Sequence, residues 1–189
     1  MIVARSPREC LLAFEGSSRR LVAHTLTRQY PIWLYKKDDR WGRLQSHSTG
    51  SLVSCGIPLK TKFGKVFLVL SQLVFVHQVE DGFALRMGAY THQVKDTQQP
   101  KAMPLFRWSG DPSRSDGEAA ADLHMDASVI FGALGSVDLG RVRTPTGFVS
   151  PPDIVRFLIA DLDVPPPCGA DAWEHEVSLA VEWYTTLNT

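Results

Sequence analysis

The chain has 189 residues, of which 44% are hydrophobic and 21% are charged, a composition typical of one ordinary globular domain. It excludes wholesale disorder, a collagen-like repeat and a disulfide scaffold. The longest apolar stretch, residues 66–76, contains two polar residues and is far shorter than the ~20 residues of a membrane-spanning helix. The three cysteines are scattered without a C-x-x-C pair, which indicates a reducing compartment and gives no zinc signature.

Charge is unevenly distributed, although twenty basic and twenty acidic residues cancel. Residues 1–62 carry eleven Lys and Arg against four Asp and Glu, whereas residues 150–189 carry one basic and seven acidic residues. Such asymmetry is typical of a nucleic-acid-binding half with an acidic partner surface, or of two halves that neutralise each other. Because the N-terminus lacks the continuous apolar segment of a secretory signal, we expect a cytoplasmic protein that does not bind a membrane.

The N-terminal 62 residues begin with a helix signal. Ser6 fits the cap, Pro7 the first helical position and Glu9 the end of a capping box. Small residues at 16–18 predict the end of this helix. The pattern that follows predicts strands at 21–27 and 31–35 and then loop at 40–43 and 45–51.

The middle of the chain predicts a β-hairpin. Residues 65–70 and 73–79 are rich in Val, Phe and Leu, and Asp81-Gly82 is a turn signal before a second strand, 83–94. With these two residues as the turn, Val76 would face Met87 and Val74 would face Ala89 on the core side. The opposite side would carry Phe75, His77, Arg86, Gly88, Tyr90 and His92, because side chains alternate in a regular strand.

The remaining segments complete an α+β pattern. Further strands are expected at 103–108, 121–126, 129–134 and 138–143, the last ending in a turn at 144–147. Ser150-Pro151-Pro152-Asp153 opens a helix with an apolar stripe over 154–162, and Asp171 to Glu174 opens a last helix. We therefore predict a single α+β domain over residues 1–189, with an antiparallel sheet of about five to seven strands, one N-terminal helix and two C-terminal helices. Its parts are the basic segment 1–62, the sheet over 63–149 and the helix pair over 150–189.

One set of residues matches the requirements of metal-independent RNA cleavage. Arg86, Tyr90 and His92 are expected on one strand, with Arg107 and His124 on others. Arginine binds phosphate through two nitrogens and stabilises developing negative charge, and histidine transfers protons near neutral pH. The alternative interpretation is a solvated sheet face whose polar residues keep it soluble.

A second set could begin a metal site. Asp122, His124 and Asp126 alternate along one predicted strand, and His92 or His77 could add a further ligand. H-x-D triplets arise often by chance, so ordinary surface polarity is the alternative. We expect no cofactor and no bound metal.

A third set interleaves aromatic and basic residues, a combination that binds single-stranded nucleic acid by stacking and phosphate neutralisation. Its members are Arg28, Tyr30, Trp33, Tyr35, Lys36, Lys37, Arg40, Trp41 and Arg43. The aromatic residues could equally be core residues of strands, which is the commoner location of Trp and Tyr.

Three segments together resemble small bacterial proteins, some of them actinobacterial, that are related to TumE-like toxin components of toxin–antitoxin modules. The segments are Tyr90-Thr91-His92, Leu105-Phe106-Arg107-Trp108 and Leu123-His124-Met125-Asp126, followed by Thr144-Pro145-Thr146-Gly147 before a helix. This chain has Ser109 where that pattern has Asp, and Asp126 where it has a second His. The resemblance implies a toxin-like or mobile-element context, with a cognate antitoxin or another protein as partner.

The leading hypothesis from the sequence is a toxin–antitoxin-type protein that acts on RNA. In it Arg86 and Arg107 bind phosphate, His92 and His124 transfer protons, and Tyr90 positions the substrate. One alternative is a non-catalytic protein-interaction module that uses the apolar stripes of the acidic C-terminal helices. Another is a metal-dependent hydrolase that uses His124 and Asp126.

Overall fold

A computed structural model describes residues 3–28, 32–46, 56–99, 101–110, 122–125, 142–145 and 148–185 of the protein. In this part of the chain the helices are α1 Pro7–Thr25, α2 Pro151–Ala160 and α3 Trp173–Thr185. The strands are β1 Ile32–Asp38, β2 Trp41–Ser46, β3 Ile57–Thr61, β4 Gly64–Val79, β5 Gly82–Lys95, β6 Phe106–Gly110, β7 Asp122–Met125 and β8 Val142–Pro145.

All eight strands form one antiparallel sheet in the order β1-β2-β4-β5-β6-β7-β8, with β3 also paired to β4. The sixteen-residue strand β4 is long enough to pair along one edge with both β2 and β3. The predicted class is confirmed: an α+β fold with an antiparallel sheet, one N-terminal helix and two C-terminal helices.

Helix α1 starts as predicted but is much longer. Its first turn is capped by the Ser6 hydroxyl, which accepts a hydrogen bond from the Glu9 N–H. The helix continues through Gly16 to Thr25, so the predicted end at 16–18 and the predicted strand at 21–27 are wrong. Burial of an apolar face explains the difference, because Phe14, Leu21 and Val22 all pack into the core.

The segment after β1 also differs from expectation. The sequence predicts loop at 40–43 and from 45 onward, yet Trp41–Ser46 is strand β2, paired on both sides with β1 and β4. Its inward positions are small or apolar: Gly42 lies against Leu11 of α1 and Leu44 is fully buried. The alternation of buried and exposed residues, rather than composition, marks it as a strand.

The central hairpin forms, but its register differs from the prediction. Val79 pairs with Gly82, so Glu80 and Asp81 are the turn residues, and Val74 pairs with Met87 rather than Ala89. Further along, Gln72 pairs with Tyr90, which leaves one residue of β4 opposite two residues of β5, Gly88 and Ala89. This is a β-bulge, and it reverses the alternation of side chains along β5.

The C-terminal helices form as predicted and close the core. The Asp153 carboxylate accepts hydrogen bonds from the Ser150 N–H and hydroxyl at the start of α2. Apolar residues of α2 and α3 are buried with those of α1 against one face of the sheet. The stripes that motivated a partner-binding role are therefore occupied within the chain itself: the buried residues are Ile154, Val155, Leu158, Val177, Ala180 and Tyr184.

Strand β6 overlaps the predicted strand at 103–108 and extends beyond its end, and β7 lies within the predicted strand at 121–126. Residues 142–145 form β8, although the sequence predicts a turn from residue 144. The predicted strand at 129–134 lies outside the described residues, as does most of 138–143. No helix in the described ranges is long and apolar enough to cross a membrane.

Candidate nucleic-acid interface

The two faces of the sheet are chemically different. The inner face carries Leu44, Leu68 and Met87, which are buried beneath the three helices. The outer face, called here the open face, is formed by the outward residues of β2 to β6 together with those of β1. Many of its side chains are partly or fully exposed, including Tyr35 at 44%.

All the Lys and Arg residues of strands β2 to β6 lie on the open face. Strands β2, β3, β4, β5 and β6 contain no Asp or Glu. Their six basic residues all occupy outward positions by register: Arg43, Lys60, Lys65, Arg86, Lys95 and Arg107. None of Arg43, Lys60, Lys65, Arg86 and Arg107 forms an ion pair with a described residue.

Aromatic residues lie at one end of the open face. Trp41 of β2 pairs with Phe75 of β4, which pairs with Arg86 of β5, in one row across three strands about 4.8 Å apart. The Phe75 ring rests on Gly88, where an added Cβ would lie 2.6 Å from the ring. Both rings are only partly covered, so this row combines stacking surface with a guanidinium.

A row of uncharged polar residues crosses the middle of the open face. Gln45, Ser71, Thr91 and Ser109 are successive partners across β2, β4, β5 and β6. All four are partly exposed. Amide and hydroxyl groups both donate and accept hydrogen bonds, so the row can read polar edges of a ligand.

Two further cations lie beyond the polar row. Arg107 is exposed and pairs with Gln93, and Lys95 pairs with Phe67 one row further along. Burial lowers the pKa of the Lys95 ammonium, and the nearby charge of Arg107 lowers it further. The two positive groups are thus close enough to interact, and an anion placed between them would be stabilised by both.

The predicted grouping of Arg86 with Tyr90 and His92 is wrong. Arg86 is exposed on the open face, whereas Tyr90 and His92 are 3% and 0% exposed on the inner face. The bulge at Gly88 and Ala89 causes this separation, because it shifts the alternation of β5 by one residue. Arg107 pairs with Gln93 and so also lies on the face opposite His92.

The two inward residues belong to the core. The Tyr90 hydroxyl accepts a hydrogen bond from the Val149 N–H at 3.2 Å, and its ring stacks on that of His92 with centroids 5.3 Å apart. Burial raises the pKa of Tyr90 despite that hydrogen bond, and burial lowers the pKa of His92 to about 3. His92 is therefore neutral near pH 7, and neither ring nitrogen has a hydrogen-bond partner among the described residues.

Beside them, a polar network links the sheet to two helices. The Tyr184 hydroxyl of α3 donates to Gln72 Oε1 of β4 at 3.3 Å and lies 2.8 Å from the Ser18 hydroxyl of α1. All three residues are buried. The network holds the described helices against the inner face of the sheet.

The proposed metal site receives no support from the described residues. His124 is the backbone partner of Arg107 across β6 and β7, and Asp126 lies outside the described residues. The structure does not describe the side chains of residues 122–125; among the side chains that it describes, no three of His, Cys, Asp or Glu lie close enough together to hold a metal ion.

Only some of the interleaved aromatic and basic residues between positions 28 and 43 lie on the open face. Tyr35, Trp41 and Arg43 reach the open face, and Tyr35 pairs with Arg43 across β1 and β2. Trp33 of the edge strand β1 pairs with Gln45 and so also occupies an outward position, where the Arg19 guanidinium is 5.0 Å from its ring centroid. Tyr30 and the Lys37 side chain lie outside the described residues.

The uneven charge of the sequence has two structural outcomes. Part of it is neutralised, because Arg20 of α1 pairs with Glu176 of α3 at 3.0 Å and Lys62 pairs with Asp163 at 3.3 Å. The remaining cations of β2 to β6 lie on the open face, while exposed acidic residues lie both on the helices and at the margins of the sheet, where Asp38 of β1 pairs with Trp41.

No protein-family model matches this chain, and neither the curated proteins nor the solved structures provide a match. Function is therefore inferred from the residues of the open face. Sequence reasoning missed its polar row and three lysines: Lys60, Lys65 and Lys95. The signal that could have revealed them is the absence of acidic residues from strands β2 to β6.

Proposed function

We propose that this protein binds single-stranded RNA on the open face. The observation that carries the proposal is the placement of all six cations of β2 to β6 on one face of strands that contain no acidic residue. Proteins bind single strands by neutralising phosphates in a cationic groove while aromatic rings stack on the bases. Trp41 and Phe75 supply such rings beside Arg86.

The polar row supports RNA as the ligand. A ribose 2′-hydroxyl both donates and accepts hydrogen bonds, and it distinguishes RNA from DNA. Ser71 and Thr91 lie between the aromatic row and Arg107, so they would face the sugars and base edges of a strand whose phosphates contact the arginines. In this arrangement Arg86 and Arg107 keep the phosphate-binding role that the sequence predicts.

We propose binding rather than cleavage by the predicted catalytic set. A general acid or base must come within hydrogen-bond reach of the reacting group. His92 and Tyr90 are buried on the opposite face from the arginines, and His92 has a pKa of about 3. A strand bound to Arg86 and Arg107 would therefore be separated from His92 by the sheet.

The first experiment measures the affinity of the intact protein for a labelled oligouridine of about 10 nucleotides, a length within the usual site sizes of single-strand binding domains. Arg86→Gln combined with Arg107→Gln should weaken binding at least tenfold and reduce the salt dependence by about 0.7 per lost phosphate contact. Arg156→Gln, which replaces an exposed arginine on α2, is the matched control and should bind like the wild type. Wild-type protein that does not bind the oligouridine would refute the proposal. Equal binding to oligodeoxyuridine would remove the role assigned to the 2′-hydroxyl.

The toxin–antitoxin setting is a further part of this proposal. Such a protein would act in the cytoplasm and arrest growth by occupying RNA, and a cognate antitoxin would cover the open face with acidic side chains. Expression of the intact chain and of a His92→Ala/His124→Ala variant, with growth and total RNA integrity followed together, tests this. Growth arrest with intact RNA in both strains supports binding, whereas RNA loss that requires the two histidines would show cleavage instead.

A further inference from the structure

The hairpin between β3 and β4 holds an aromatic ring in solvent. Phe63 lies at its tip and is 70% exposed, more than any other large hydrophobic side chain in the described ranges. A lone exposed apolar residue is common on protein surfaces. Phe63 differs from such a residue because its turn is held by hydrogen bonds and because exposed lysines lie beside it.

The tip is ordered by its own hydrogen bonds. The Thr61 hydroxyl accepts from the Phe63 N–H at 3.1 Å and donates to the Gly64 carbonyl at 2.8 Å. Gly64 has φ +116°, a backbone conformation that L side chains rarely adopt. The backbone pairing of β3 with β4 continues up to Thr61 and Gly64, so the Phe63 ring projects from a well-defined turn.

Cations connect this tip to the open face. Lys60 and Lys65 are cross-strand partners, both exposed, and form the last row of the open face. The Lys65 ammonium lies 5.1 Å from the ring centroid of Phe67, which pairs with Lys95. Within β2 to β6 the rows contain no acidic residue from Arg86 to the hairpin, about 33 Å along β4 at ~3.3 Å per residue. The flanking strands add Asp38 of β1, which pairs with Trp41, and Asp122 of β7, which pairs with Ser109.

We infer that the β3–β4 hairpin is the far end of the RNA path, where Phe63 stacks on a base while Lys60 and Lys65 bind the adjacent phosphates. The inference rests on the proposed function and extends its site by one stacking position. Stacking on an exposed aromatic side chain is independent of sequence, because every base has a π-face. If the hairpin belongs to the RNA path, the binding site is longer than one formed by the rows of Arg86 and Arg107 alone.

Anionic lipid is the other ligand that a basic, aromatic tip could attract, and the local charges favour RNA. Lys62 is paired with Asp163 at 3.3 Å, which leaves Lys60 and Lys65 as the cations of the tip without an ion pair to a described residue. Recognition of anionic lipid headgroups generally uses clusters of about four to eight Lys and Arg. The continuity of the tip with the cation rows instead fits an extended polyanion.

The test compares oligouridines of about 4 and about 10 nucleotides, near the lower end and the middle of known site sizes. Phe63→Ala should lower the affinity for the longer oligomer at least about fivefold and leave that for the shorter one within about twofold, since one stacked base contributes at least about 1 kcal/mol, which is about fivefold in affinity. Phe63→Trp should retain the wild-type length dependence. Leu12→Ala, which replaces an exposed apolar residue on α1, is the control and should change neither affinity.

The outcomes separate this inference from the proposal on which it rests. Wild-type protein that binds neither oligomer refutes the proposed function itself. Tight binding of the longer oligomer that is unchanged in Phe63→Ala overturns only the hairpin inference. Phe63-dependent binding to phosphatidylserine vesicles, with RNA affinity unchanged by Phe63→Ala, would overturn it in favour of lipid.

Discussion

The ring of Phe75 lies on the backbone of Gly88, so close that a Cβ at position 88 would stand 2.6 Å from Cε2 and 3.3 Å from the Leu73 carbonyl oxygen. Gly88 is also one of the two residues of the β5 bulge. Gly88 therefore provides the space in which the Phe75 ring packs on the open face, and it belongs to the bulge that reverses the inward and outward alternation of side chains along β5.

Gly88→Ala should displace the Phe75 ring, since the added methyl group occupies its position. We expect RNA affinity to fall about as much as in Phe75→Ala, because base stacking contributes about 1–3 kcal/mol per ring. The partly exposed ring can swing away, so thermal unfolding should show a loss of stability of at most about 1–2 kcal/mol. Unchanged affinity in Gly88→Ala together with a loss in Phe75→Ala would show that the ring keeps its place without the glycine.

His92 should make stability depend on pH. Its folded-state pKa is about 3 against 6.5 in the unfolded chain, so between these values the unfolded chain binds a proton that the folded chain does not. The free energy of unfolding should fall by up to about 1.4 kcal/mol per unit as pH decreases through this window. His92→Leu should reduce that slope in urea unfolding measured from about pH 7 to about pH 4, within the same window.

The same variant tests the role of His92. Its ring nitrogens have no hydrogen-bond partner among the described residues, so His92→Leu should unfold at neutral pH with a free energy close to or above that of the wild type. RNA affinity should not change. His77→Gln, which replaces an exposed histidine on β4, is the matched control and should keep the wild-type slope. If His92→Leu kept the wild-type dependence of the free energy of unfolding on pH, that dependence would not come from His92.

Tyr184 should contribute to the docking of the helices on the sheet. Tyr184→Phe removes the hydroxyl that contacts both Gln72 and Ser18 and leaves these buried groups without that partner. We expect a loss of about 1–2 kcal/mol in the free energy of unfolding. A double-mutant cycle with Ser18→Ala measures the coupling, and strictly additive losses would show that the Ser18 contact contributes nothing.

Gly16 lies inside α1, and a Cβ added there would meet no atom of another element within 4 Å. Gly16→Ala should therefore raise the free energy of unfolding by about 1 kcal/mol, because alanine restricts the unfolded chain and favours the helix. Thermal denaturation measures this, and RNA affinity should be unchanged. Destabilisation by Gly16→Ala would indicate that the helix needs the glycine.

The amino-acid sequence by itself determined the fold class and several local elements. Ser6 and Pro7 mark the start of α1, and Ser150 to Asp153 mark the start of α2, because helix capping depends on residues close in sequence. The apolar runs on either side of residue 81 likewise define the long β4–β5 hairpin. The sequence also predicts Arg86 and Arg107 as cations of a sheet face, and both are exposed.

Only the tertiary structure decided which side chains share a face. The turn uses Glu80 and Asp81, and the bulge places Tyr90 and His92 in the core while Arg86 points outward. Strand register and bulges depend on packing against neighbouring strands and on contacts such as Phe75 with Gly88, which alternation along a single strand does not encode. For the same reason α1 continues through Gly16, since tertiary burial of its apolar face outweighs the weak local signal for an end.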